Sequence, residues 1–150
     1  MSVVLAIDPG VAESGYCVYD GFVRESGTVE NARLLEWLPA HPADTLAIEM
    51  ITSYGMPVGR EVFETCVWIG RFQQAWRAPE EVRLIPRRDI KMTLCANARA
   101  KDANIRRALI DLVGPQGVKR APGPTYGVKS HAWAALAVAV CAVDKEYFAS

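Results

Sequence analysis

Val3-Val4-Leu5-Ala6-Ile7 is an unbroken apolar run that ends in a carboxylate, Asp8. Such a run predicts a strand buried on both faces. Pro9-Gly10 turns the chain, and residues 15–19 predict a second strand returning beside the first. Asp20-Gly21 is a hairpin signal, so residues 21–29 predict a third, antiparallel strand. Leu34, Leu35 and Leu38 stand at helical spacing and predict a helix over 31–38, capped by Asn31 and stopped by Pro39 and Pro42. Thr45-Leu46-Ala47-Ile48-Glu49 then repeats the opening pattern, an apolar strand that ends in an acid.

Residues 51–57 read as a loop with Gly55 and Pro57. A long helix is predicted over 59–78, with Val62, Cys66, Ile69 and Trp76 on one stripe and Pro79 ending it. A short strand at 82–85 and a short helix at 87–94 precede a loop at 97–100. Residues 102–113 form a helical pattern with Ile105, Leu109 and Leu112 on one face and Arg106 and Arg107 off it. The stretch 114–127, with four Gly and three Pro, reads as a mobile loop. The last helix starts at Ser130 as its cap and runs to about Val143. Its alanines (132, 134, 135, 137 and 139) let it lie close against a sheet.

Three antiparallel strands followed by strands alternating with helices predict an α/β fold in one domain, residues 1–150. The sheet is mixed, five-stranded and flanked by helices. With 51% hydrophobic residues in 150, the chain is long enough for a substantial core and too apolar for disorder. Its longest apolar run, Ala132 to Val143, is too short for a membrane span, and the N-terminus lacks the basic region of a secretory signal. The four cysteines (Cys17, Cys66, Cys95, Cys141) are far apart and form no metal or disulfide pattern. They read as reduced core thiols of a cytoplasmic protein.

Charge sharpens the picture. The net charge is zero, but residues 1–82 carry 5 Lys and Arg against 12 Asp and Glu, whereas residues 83–129 carry 11 against 3. The second half therefore suits an anionic partner. Asp8 and Glu49 end two buried strands, and neighbouring strand ends meet at one sheet edge. Two carboxylates there repel unless one is protonated or a cation lies between them. Mg²⁺ favours such an oxygen shell, and two ions about 3.5–4 Å apart are a device for phosphodiester cleavage. A lone histidine is more often a surface or satisfied residue than a ligand; His131, at the start of the last helix, gains weight as a third candidate only from the resemblance below, whereas His41 between prolines has no such context.

The ordered set Ile7-Asp8-Pro9-Gly10, Ser14-Gly15-Tyr16, Ala47-Ile48-Glu49, Lys91, Lys101 and the run His131 to Ala139 resembles the RuvC family of Holliday-junction resolvases. Its small bacteriophage-type members look closest. The resemblance covers nearly the whole chain. It implies an RNase H-like fold, a homodimer in the cytoplasm of a bacterial host, no organic cofactor, and Mg²⁺- or Mn²⁺-dependent cleavage of symmetric strands at a four-way DNA junction. By position, Asp8 and Glu49 match metal-binding acids, and His131 matches a position where the family carries Asp or His. Lys91 and Lys101 match basic residues used on the scissile phosphate or DNA backbone. The cleavage implied is in-line attack of water, leaving 5′-phosphate and 3′-hydroxyl.

One position departs: the family's acid three residues after His131 is Ala134. Three readings stay open. Another ligand completes the site, with Asp102 and Asp111 as weak candidates; the chain is a catalytically weakened or inactive junction binder; or the alanine is an introduced change. Other branched DNA, flaps and RNA–DNA hybrids are alternative substrates. An actin-like phosphotransferase is disfavoured by length, since such folds enclose ATP between two domains of this kind. The loop after Glu49 matches where the family places an aromatic that pries at the junction centre. Thr52 takes the aligned position, and Tyr54 is the nearby aromatic. Arg87, Arg88, Lys91, Arg99, Lys101, Lys119, Arg120 and Lys129 are expected to line the phosphate path. The helix 59–78, with Phe63, Trp68, Phe72 and Trp76, is the expected dimer surface.

Overall fold

A computed structural model of the chain describes residues 2–144. Three strands open it: β1 (Val4–Asp8), β2 (Glu13–Tyr19) and β3 (Val23–Glu30). Then follow α1 (Asn31–Trp37), β4 (Thr45–Met50), α2 (Arg60–Ala75) and β5 (Arg83–Pro86). The last section comprises α3 (Arg87–Cys95), α4 (Asp102–Val113), a small hairpin of β6 (Gly117–Val118) and β7 (Ala121–Pro122), and α5 (His131–Ala142). The main sheet runs β3-β2-β1-β4-β5. Its first three strands pair antiparallel, and β4 and β5 add in parallel, as the element order predicts. Among the described residues, no helix is long and apolar enough to cross a membrane.

The apolar run of β1 is buried on both sides because the sheet is covered on both sides. Val4 and Ala6 pack into a core with α3, α4 and α5. Leu5 and Ile7 pack into a second core with α1 and α2. α5 is buried on almost every face, and its alanines bring its backbone close to β1 and β2. Arg83 on β5 donates from Nη1 to the Ala142 carbonyl at 2.6 Å, which ties down the C-terminal end of that helix.

Four local expectations need correction. Asn31 is not a helix cap; it is the first residue of α1 and is 1% exposed. Ser130 does not cap α5 through its side chain; it takes φ +48° and ψ −127° just before the helix, a conformation uncommon for a residue with a Cβ. The stretch 114–127 is built around the β6–β7 hairpin and a buried Thr125, which donates to the Gly114 carbonyl at 2.9 Å, so it is an organised element. Helix α2 stops at Ala75, and Trp76 turns extended and tucks into the core. Phe72 is also fully buried there, so of the aromatics assigned to a dimer surface only Phe63 and Trp68 leave surface exposed.

The buried polar pair Ser14 and Asn31 fixes the turn that follows Asp8. Ser14 Oγ donates to Asn31 Oδ1 at 2.6 Å and accepts from the Gly10 N–H at 3.3 Å. Asn31 Nδ2 donates to the Gly10 carbonyl at 2.8 Å, closing the ring of bonds. Removing one member leaves buried groups unsatisfied, at about 1–3 kcal/mol. Asn31→Ala and Ser14→Ala are each expected to lower the urea unfolding free energy by that amount. The double variant should lose less than the sum, because the two side chains share one network.

Candidate active site

The site is built on the sheet register. β1 and β4 pair in parallel with Ile7 opposite Ile48, so Asp8 and Glu49 leave adjacent strands at the same level. Both carboxylates are nearly buried, with side-chain exposures of 14% for Asp8 and 13% for Glu49. Burial pushes the Asp8 carboxyl above its ordinary range, and contact with His131 only partly opposes this. Burial, reinforced by the negative charge of Asp8, pushes Glu49 up to about 7.

His131 reaches this edge because β2 has no side chain in its way. Asp8 pairs with Gly15 across the β1–β2 ladder. A Cβ at Gly15 would lie 2.4 Å from the His131 carbonyl oxygen and 2.8 Å from the His131 Cβ. The first turn of α5 therefore packs directly on the backbone beside Asp8, and His131 Nδ1 lies 3.2 Å from Asp8 Oδ2. His41 lies elsewhere: its Nδ1 accepts from the Ala43 N–H at 3.1 Å, a local structural role.

These residues open onto a cavity of about 1260 Å³ whose lining includes Asp8, Glu49, Arg87, Asp102, His131 and Ala134. Ala134 thus occupies the next turn of α5 on the cavity side, where a carboxylate would face the site. Of the two weak candidates for a further acid, Asp102 lines the cavity, whereas Asp111 is outside that lining and pairs with Arg107 at 3.5 Å. Arg87 Nη2 donates to Asp102 Oδ1 at 3.0 Å, and Nη1 stands 3.7 Å from Glu49 Oε2.

Of the basic residues expected along a phosphate path, only Arg87 lines this cavity. Arg88, Arg99, Lys101, Lys119, Arg120 and Lys129 are exposed outside the lining, and Lys91 is half-buried, its charge lowering the Glu49 pKa. The Lys101 backbone N–H donates to Asn104 Oδ1 at 2.9 Å. Tyr54 also lies outside the lining and is 61% exposed. Thr52, its neighbour in the loop, has its Oγ1 buried. Arg106 and Trp133, to which the sequence pattern assigns no role, both line the cavity, with the guanidinium 5.1 Å from the ring centre. The available signal was an arginine off the apolar face of α4.

The donor chemistry, two desolvated carboxylates and an imidazole, suits a hard divalent cation completed by water. As placed, no three His, Cys, Asp or Glu side chains among the described residues stand close enough together to hold an ion. Asp8, Glu49 and His131 are the residues that would hold such an ion. Without one, the mutual repulsion of the acids is a cost to the fold. Glu49→Gln is expected to stabilise the protein in chelator at pH 8 by about 1–2 kcal/mol, raising Tm by roughly 2–8 °C. An unchanged or lower Tm would show that the Glu49 charge is already compensated.

No family model matches the chain, and no curated protein matches it. Among solved structures, Thermus thermophilus RuvC in complex with a Holliday junction substrate has a TM-score of 0.72 at 19% identity. That match covers 99% of this chain and 97% of the other. A second Thermus thermophilus RuvC structure has a TM-score of 0.65 at 21% identity, covering 92% and 91%. The chain therefore has the RNase H-like fold of these RuvC structures along nearly its whole length.

Proposed function

We propose that the protein is a divalent-metal-dependent endodeoxyribonuclease that cleaves symmetric strands of four-way or other branched DNA junctions. The observation that carries this reading is the convergence of Asp8, Glu49 and His131 on one cavity, at the sheet edge of a RuvC-like fold. Asp8, Glu49 and His131 would hold Mg²⁺ or Mn²⁺. Bound there, the cation supplies charge neutralisation at the scissile phosphate and acidifies water. Asp8 orients the His131 ring through the 3.2 Å contact, which leaves Nε2 either to ligate the ion or, where the acids alone hold it, to handle a proton. Arg87 and Lys91 flank Glu49 and favour a phosphate over the bare acids.

The exposed basic residues lie outside the cavity lining and suit backbone contacts that set register without reading sequence. Lys119 and Arg120 form the turn of the β6–β7 hairpin, a compact projection for such contacts. Selection for a branch would come from shape and deformability. Tyr54, exposed in the loop after β4, is the aromatic for stacking at an opened junction centre. A homodimer would match the two-fold symmetry of a junction. Phe63 and Val67 support α2 as its surface: each is 62% exposed and they are one turn apart. Gly70, a further turn on, has open space around its Cβ direction.

Ala134 on the cavity wall favours a second reading, a junction-binding protein with weakened catalysis. A labelled synthetic four-way junction in Mg²⁺ and in Mn²⁺ separates the two. Under the nuclease reading the chain nicks symmetric strands, and Asp8→Asn lowers the rate by roughly 100-fold or more. Tight binding with cleavage only after Ala134→Asp would establish the second reading. No preference for the junction over linear duplex would overturn both. Separately, Phe63→Glu is expected to convert a dimer to a monomer in light scattering; a monomeric parent, or a variant that stays dimeric, would remove α2 as the interface.

A further inference from the structure

Arg87 is placed beside the acids by the backbone. Glu49 pairs with Ile85 across β4 and β5, and Met50 with Pro86, so the next residue begins α3 level with the carboxylates. Its guanidinium then divides between two partners. One arm makes a hydrogen bond of 3.0 Å to Asp102, the first residue of α4. The other arm faces Glu49 at 3.7 Å, beyond hydrogen-bond length, so that attraction is Coulombic. Arg87 thus supplies positive charge to a nearly buried carboxylate that already faces Asp8.

We infer that Arg87 is a tethered counter-cation of the acid pair, held by Asp102 at the cavity rim, and that a divalent ion binding at Glu49 displaces it. This rests on the metal-dependent reading above. The partition is suited to exchange. Arg87 is 45% exposed and Asp102 89%, so their pair is screened and weak, whereas Glu49 is 13% exposed. An ion that reaches Glu49 takes over the neutralisation, and the guanidinium keeps Asp102 as its resting partner instead of turning back on the acid. Asp102 is then a positioning residue, acting on the metal site through Arg87. It does not substitute for the carboxylate absent at Ala134.

The test is calorimetric titration of Mn²⁺ into the full chain without DNA, with unfolding curves to verify that each variant is folded. Arg87→Ala, and Arg87→Gln as a second variant, are expected to raise Mn²⁺ affinity by about two- to fivefold. Lys91→Ala, which removes a charge that acts on Glu49 without contact, should raise it less. Asp102→Asn is expected to lower the affinity in the parent, because Arg87 then closes on Glu49, and to lower it clearly less in the Arg87→Ala background, where only the through-space charge of Asp102 on the acids is lost. A fall of equal size in both backgrounds would make Asp102 act on the ion itself and overturn the inference. So would equal gains from Arg87→Ala and Lys91→Ala. A parent chain that binds no Mn²⁺ would instead overturn the metal reading, and the inference with it.

Discussion

The contact on which the rest depends is the approach of α5 to the backbone of β2 at Gly15. A side chain at that position would collide with the His131 carbonyl, so the helix could not seat where it does. From this one seat follow the burial of the alanine-rich face of α5 against β1 and β2, the arrival of His131 at Asp8, and the opening of Ala134 onto the same cavity. Close packing makes such a contact unforgiving, since interiors have little free volume to absorb even one methyl group. The hydrogen-bonded ring of Gly10, Ser14 and Asn31 fixes the other side of Asp8. The acid is thus positioned by backbone on one side and by a buried polar network on the other.

Electrostatics then set the character of the site. Burial disfavours charge on Asp8 and Glu49, and the charge of Asp8 further disfavours it on Glu49. Nearby positive charge comes from Arg87 and Lys91, with Arg87 beyond hydrogen-bond length of Glu49, whereas the His131 ring lies within 3.2 Å of Asp8. A site of this kind is costly as a structural feature and apt as a cation-binding one. The basic surplus of the second half of the chain is mostly deployed outside the cavity, on exposed helix ends and on the β6–β7 hairpin. That separation keeps most cations of the protein from neutralising the acids outright.

The architecture was legible because its signals are local. Apolar runs with acids at their ends, turn residues and helical spacing determined the five strands, the main helices and the pairing of Asp8 with Glu49 at one sheet edge. Two of the four differences share one cause, that the fold offers distant partners to side chains that look locally committed. Asn31 looks like a cap and instead bonds Ser14 and Gly10 across the turn. Phe72 and Trp76 look surplus on one helix and are taken up by the second core. Gly and Pro between 114 and 127 suggest mobility, and the chain spends them on a tight hairpin closed over Thr125.

By itself, then, the sequence determined the strand-end acids, the order of elements and the candidate histidine, since each rests on residues adjacent in the chain. Only the tertiary structure decided that Gly15 admits His131, that Asp102 rather than Asp111 borders the cavity, and that Arg87 stands between Glu49 and Asp102. These depend on distances between residues 15 to 116 apart in sequence. Such distances are fixed by sheet register and helix seating, which no local pattern of apolar and polar residues encodes.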